Sequence, residues 1–109
     1  VYDRRTRTLL TGDTFYPGRL YVDDPAAFAR SVGRLAAFAR AAGARRVLGA
    51  HVEQSRAPFV DYPTGTRDQP AEDRPDLSVA ELATLDSAVR AMGARPPDAR
   101  QREARLPRF

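Results

Sequence analysis

Several residue types that carry common protein chemistry are absent from this 109-residue chain, or nearly so. There is no cysteine, which excludes disulfide bonds, thiol nucleophiles and zinc–thiolate sites. There is one histidine, His51, so the chain alone cannot build a site that needs several imidazoles. No apolar run approaches the roughly 20 residues that a membrane span requires, and we therefore expect no membrane association.

Lysine is also absent, so all 18 basic residues are arginine. The segment from Arg95 to Phe109 holds five arginines against two acidic residues, which accounts for +3 of the formal net charge of +4. The rest of the chain is nearly neutral, which argues against a nucleic-acid-binding domain. We predict one domain over residues 1–93 and a flexible basic tail over residues 94–109.

The first third of the chain reads as two strands followed by a helix. A turn at residues 3–6 joins two short apolar segments, and the second, Arg7–Thr11, resembles a strand covered on both faces. Asp24 is a suitable N-cap, and Pro25 suits the first helical position. Apolar residues then recur at helical spacing until Gly43, where we expect the helix to end.

A second buried strand is predicted at residues 46–50, immediately before His51. A strand, a crossover helix and a strand imply a parallel pair with a right-handed connection. From Glu53 to Leu77 prolines replace any periodic pattern, which indicates a long loop. A capping box at residues 78–81 then begins a second helix. Because two helices cannot cover a small parallel sheet on both faces, we expect an exposed sheet face or edge, as in part of a larger domain.

Two polar residues follow the ends of the two buried strands. Asp13 follows the first and His51 the second. Ligands bind at this edge of an α/β sheet, and adjacent strand ends lie about 5 Å apart. A carboxylate and an imidazole can therefore meet there, although a turn aspartate and a structurally satisfied histidine are the simpler interpretations of each residue alone.

Three segments carry a resemblance to a known family. They are Leu9–Thr14 (LLTGDT), Tyr16–Tyr21 (YPGRLY) and Val47–His51 (VLGAH). In this order they resemble the C-terminal half of the metallo-β-lactamase-fold hydrolases, and the likeness runs from about Tyr2 to Met92. It implies a partial αββα sandwich: a β-hairpin, a strand–helix–strand unit, a long loop and a C-terminal helix.

The resemblance implies that Asp13 is a metal-bridging ligand and His51 a terminal ligand. It implies a dinuclear site, with zinc as the expected metal and iron or manganese as alternatives, where a metal-bound hydroxide attacks a carbonyl or phosphoryl group of a small-molecule substrate. A lactam, lactone, thioester or phosphodiester fits equally. The family's His-x-His-x-Asp-His segment is missing, so we expect the chain to be the inactive C-terminal part of such an enzyme.

Three further residues are weaker candidates for the site. Tyr16, in the Pro-Gly loop, and Tyr62, in the long loop, are candidates for substrate contact, with ordinary packing as the alternative. Glu53 is a candidate for orienting a metal ligand without binding the metal itself, although a solvated carboxylate at a strand end is the simpler interpretation. We expect a cytoplasmic location, although any leader would precede Val1, and the oligomeric state stays open.

Other functional classes explain the sequence less well. A haloacid-dehalogenase-like site needs an aspartate where Pro17 stands, and a triad of Ser55, His51 and Asp13 lacks a nucleophile elbow. The main alternative is not an enzyme. It is a small α/β interaction module whose arginine-rich tail binds nucleic acid or an acidic partner.

Overall fold

The computed structural model describes residues 1–57 and 60–92, together with the backbone of residues 103–105. The longest element is the helix α1 (Pro25–Ala42), which the sequence predicts correctly. The Asp24 side chain accepts a hydrogen bond from the Ala27 backbone N–H at 2.9 Å and caps the helix. Gly43 ends it in a left-handed conformation (φ 66°).

The main sheet has four strands. They are β1 (Tyr2–Asp3), β2 (Thr8–Gly12), β4 (Arg46–Gly49) and β5 (Asp76–Leu77), in the spatial order β1-β2-β4-β5. β1 forms an antiparallel hairpin with β2, β2 pairs in parallel with β4, and β5 runs antiparallel to β4. The predicted parallel pair is therefore confirmed, and the chain has an α/β fold with a mixed sheet.

The second helix, α2 (Val79–Met92), begins at the predicted capping box. The Ser78 hydroxyl and the Glu81 carboxylate each bind the other residue's backbone N–H, at 3.1 Å and 2.6 Å. α2 packs against α1 and β4, and the core lies between this helical layer and one sheet face. The sheet supplies Leu9 and Val47 to that core, 2% and 0% exposed.

The opposite sheet face is exposed at Leu10. Leu10, which follows Leu9 on β2, is 44% exposed because the side chains of a strand alternate between faces. The prediction that this strand is covered on both faces is therefore wrong. The related expectation, that two helices leave a sheet face or a sheet edge exposed, agrees with the exposure of Leu10.

Three short strands were not predicted. β3 (Arg19–Tyr21) pairs antiparallel with β6 (Glu103–Arg105), and β5 lies inside the segment predicted as loop. That segment also contains two isolated bridges, Gln54 with Asp61 and Ser55 with Glu72. Residues 103–105 of the predicted tail are thus a paired strand, and the remainder of residues 93–109 lies outside the described residues. Among the described helices, none is both long and apolar enough to cross a membrane.

Candidate functional site

The parallel pair brings the ends of β2 and β4 together. Gly12 closes β2 in a left-handed conformation (φ 59°), where the register of the ladder shifts. Its carbonyl accepts a hydrogen bond from the Ala50 backbone N–H at 3.0 Å, one residue beyond β4. A side chain at φ 59° is strained, so glycine suits this position. Asp13 and His51, the next residue of each segment, consequently lie side by side.

The two side chains touch. Asp13 Oδ1 lies 2.9 Å from His51 Nε2, and the side chains are 77% and 60% exposed. The sequence places the two residues on separate strands, and the sheet joins them at one edge. A carboxylate and an imidazole in contact, both open to solvent, can meet a ligand without rearrangement of the core.

The loop that carries Asp13 is fixed to the sheet by polar contacts. The Thr14 backbone N–H donates to the Thr11 carbonyl at 3.2 Å, which closes a turn around Asp13. The buried Thr11 hydroxyl lies 2.7 Å from the Phe15 carbonyl oxygen and 3.1 Å from the Leu48 carbonyl oxygen. Phe15 is fully buried and anchors the loop in the core. The position of Asp13 is therefore set by the backbone on both sides of it.

Tyr16 supports His51 and does not present its hydroxyl to the site. Its ring is 5% exposed and packs edge to face against the His51 ring, with centroids 5.4 Å apart. Its hydroxyl donates a hydrogen bond to the Arg19 carbonyl. Burial raises the pKa of Tyr16 to about 12, and the negative charge of Glu53 acts in the same direction. The Tyr16 phenol is therefore buried and hydrogen-bonded, which favours ordinary packing over the predicted contact with substrate.

Gly49 makes room for this arrangement. A Cβ on Gly49 would lie 2.5 Å from the Phe15 carbonyl oxygen and 2.6 Å from Tyr16 Cα. Both are backbone atoms, which cannot move without displacing the loop. In the sequence, Gly49 stands out only as part of the segment Val47–His51. The available signal for its role is its position as the last residue of β4, just before Ala50 and His51.

Glu53 is directed toward Arg19. Its Oε2 accepts hydrogen bonds from the Arg19 backbone N–H at 3.0 Å and from Arg19 Nε at 3.2 Å, and both side chains are about one-fifth exposed. This pair ties the residues after β4 to the start of β3. The contact favours a structural role for Glu53 over the predicted orientation of a metal ligand.

Tyr62 is likewise used within the loop. Its hydroxyl accepts a hydrogen bond from the Ala71 backbone N–H at 2.8 Å. Its backbone N–H donates to the Glu53 carbonyl at 2.8 Å, and its carbonyl accepts from the Arg19 guanidinium at 3.1 Å. These contacts fix the loop beside the site, and none of them involves Asp13 or His51.

The donor set for a metal ion is incomplete in the part of the chain that the structure describes. Asp13 and His51 offer an oxygen and a nitrogen, which are both ordinary zinc ligands. No group of three or more histidine, cysteine, aspartate or glutamate side chains is assembled among residues 1–57 and 60–92. The pair therefore fits part of a metal site and cannot alone provide the four-coordinate geometry of zinc.

Comparisons of the chain with family models, with curated proteins and with solved structures find no match.

Proposed function

We propose that Asp13 and His51 are two ligands of a hydrolytic metal centre whose other ligands come from outside the described part of this chain. The observation that carries the proposal is the 2.9 Å contact between Asp13 Oδ1 and His51 Nε2 at an exposed sheet edge. The resemblance to the C-terminal half of the metallo-β-lactamase-fold hydrolases, with its αββα sandwich, supports the same assignment. The open sheet face beside Leu10 leaves room for the second layer that such a sandwich requires.

The donor chemistry agrees with zinc. Bonds from zinc to nitrogen or oxygen are about 2.0–2.2 Å long, so two atoms 2.9 Å apart can both reach one ion after small rotations of exposed side chains. Bound zinc would polarise a carbonyl or phosphoryl group and lower the pKa of water. The chain's own contribution is placement: the β2–β4 ladder and the Tyr16 ring hold the two ligands in position. The substrate is a small molecule of the lactam, lactone, thioester or phosphodiester class.

The test uses the single imidazole of the chain as a reporter. Titrating Zn²⁺ into the ¹⁵N-labelled protein and following the ring nitrogens by NMR isolates His51, because no other histidine contributes signals. We expect the NMR signals of the His51 ring nitrogens to shift as zinc binds. Because two ligands bind zinc weakly, the dissociation constant should be in the high-micromolar range or weaker. We expect Asp13→Ala to weaken that binding at least about 10-fold, because losing a ligand costs no less than losing an outer hydrogen-bond partner of a ligand, which weakens metal affinity about 10–100-fold.

Asp68→Ala is the matched control, since Asp68 is an exposed aspartate in the long loop. It should leave the zinc response of His51 unchanged. The proposal is wrong if His51 does not respond to millimolar Zn²⁺, or if Asp13→Ala and Asp68→Ala behave alike. Hydrolysis of a chromogenic lactam or phosphodiester, restored by a polypeptide with the His-x-His-x-Asp-His segment and lost with Asp13→Ala, would extend it to catalysis.

A further inference from the structure

The opposite edge of the sheet, at the amino ends of β2 and β4, is strongly basic. Two arginine-rich segments meet there, because the Arg7 carbonyl accepts hydrogen bonds from the Arg45 and Arg46 backbone N–H groups at 2.8 Å and 3.4 Å. Arg7 adopts a left-handed backbone (φ 55°) to make this junction. We call the five exposed arginines of these segments the amino-edge patch: Arg4, Arg5, Arg7, Arg45 and Arg46.

The amino-edge patch is not neutralised within the described residues. None of its five guanidinium groups lies within 4.0 Å of a carboxylate of residues 1–57 or 60–92. The nearby Asp3 carboxylate accepts hydrogen bonds from the Arg5 backbone N–H and the Thr6 hydroxyl, at 2.9 Å and 2.7 Å. Asp76 lies opposite Leu48 in the β4–β5 ladder and is paired with Arg74 at 2.8 Å.

We propose that the amino-edge patch binds the phosphodiester backbone of a nucleic-acid duplex without reading its sequence. Exposed guanidinium groups donate paired N–H hydrogen bonds to phosphate oxygens. Each phosphate neutralised in this way releases counterions that were condensed on the duplex. Single-strand binding requires aromatic faces on which bases stack. The aromatic residues nearest the patch in sequence, Tyr2 and Phe38, instead pack edge to face on each other, with centroids 5.4 Å apart.

An acidic protein surface is the competing partner, and the composition of the patch disfavours it. Interfaces between proteins have a core of aromatic and apolar side chains, whereas protein–nucleic-acid interfaces are polar and strongly positive. The exposed charged side chains of the two segments are arginines. The one nearby carboxylate, of Asp3, is hydrogen-bonded within its own turn. The patch lies at the sheet edge opposite Asp13 and His51, so this inference stands independently of the proposed hydrolytic centre.

The experiment measures binding of the full chain to a fluorescein-labelled 20-base-pair DNA of random sequence by anisotropy, between 50 and 200 mM NaCl. Wild-type binding should weaken with salt, with a slope of log K against log[salt] of about −4, since each phosphate contact contributes about −0.9. Neutralising three patch residues (Arg4→Gln, Arg5→Gln, Arg45→Gln) should weaken binding at least about 30-fold at 50 mM and flatten the slope by about 3.

Two control variants carry the same loss of charge. One changes exposed arginines elsewhere in the fold (Arg30→Gln, Arg34→Gln, Arg67→Gln), and the other changes tail arginines (Arg100→Gln, Arg102→Gln, Arg108→Gln). Both should bind within about 3-fold of the wild type, and circular dichroism establishes that all variants are folded. An equal loss in any control, tighter binding to a polyglutamate peptide of matched charge, or no binding at 50 mM would overturn the proposal.

Discussion

The helical layer is stabilised by different interactions from those that fix the carboxyl edge of the sheet. α1, α2 and the inner sheet face exclude water with aliphatic side chains such as Val32, Leu82 and Val47, each 0% exposed. The carboxyl edge, formed by residues 12–19, 49–57 and 60–64, adds to the buried Phe15 ring a set of hydrogen bonds, the Arg19–Glu53 pair and a close backbone approach. The comparison indicates that stability resides in the helical layer, whereas geometry at the edge is set by polar contacts around two exposed side chains.

The largest effect should come from the helical layer. Leu82→Ala removes a side chain that is 0% exposed, and a buried Leu→Ala change costs about 2–5 kcal/mol of the free energy of unfolding. The matched control is Leu10→Ala on the open sheet face, where 44% exposure predicts a loss below about 1 kcal/mol. Urea unfolding followed by circular dichroism measures both. Similar losses would show that the sheet face at Leu10 is covered in solution.

A smaller loss is expected at the carboxyl edge from Gly49→Ala. The added Cβ would meet the Phe15 carbonyl oxygen at 2.5 Å, and overpacking of this kind costs about 1–3 kcal/mol. Gly33→Ala in α1 is the control, because its Cβ would meet only side-chain atoms, at 3.4 Å. Helix propensity then predicts a gain of up to about 1 kcal/mol. A Gly49→Ala variant as stable as the wild type, or more stable, would refute the close approach at Gly49.

The smallest effect is a loss of stability in alkali. The pKa of Tyr16 is raised to about 12 in the folded chain, against about 10 in an unfolded one. The unfolded state therefore loses its phenolic proton first, and stability falls as the pH rises from 10 towards 12. We expect a decrease of about 1 kcal/mol between pH 9 and pH 11 that Tyr16→Phe abolishes. The phenolate absorbance of the two proteins should differ by one late-titrating tyrosine.

The regular part of the fold was predictable because its signals are local. The Asp24 cap, Pro25 and Gly43 bound α1 as expected, and the capping box begins α2 where predicted. β3, β5 and β6 were missed because strands of two or three residues have no periodicity to detect. Their pairing depends on partners that are distant in sequence.

The candidate site was predictable only in part. The approach of Asp13 and His51 follows from two strand ends and a parallel crossover, and both are visible in the sequence. The packing of Tyr16 on His51 and the engagement of Glu53 with Arg19 join residues that are distant in sequence, which no short-range pattern encodes. The amino-edge patch was not predictable for the same reason, since its two segments are brought together by the Arg7 carbonyl and the β2–β4 pairing.

The connection from β2 through α1 to β4 also constrains the order of events during folding. Both strands of the parallel pair must be placed before Asp13 and His51 can meet, and α1 separates them along the chain. Closing such a distant pairing is slow compared with forming a capped helix. A refolding chain that has formed α1 but not the β2–β4 pair would therefore still lack the carboxylate–imidazole contact, so we expect this contact to form late in folding.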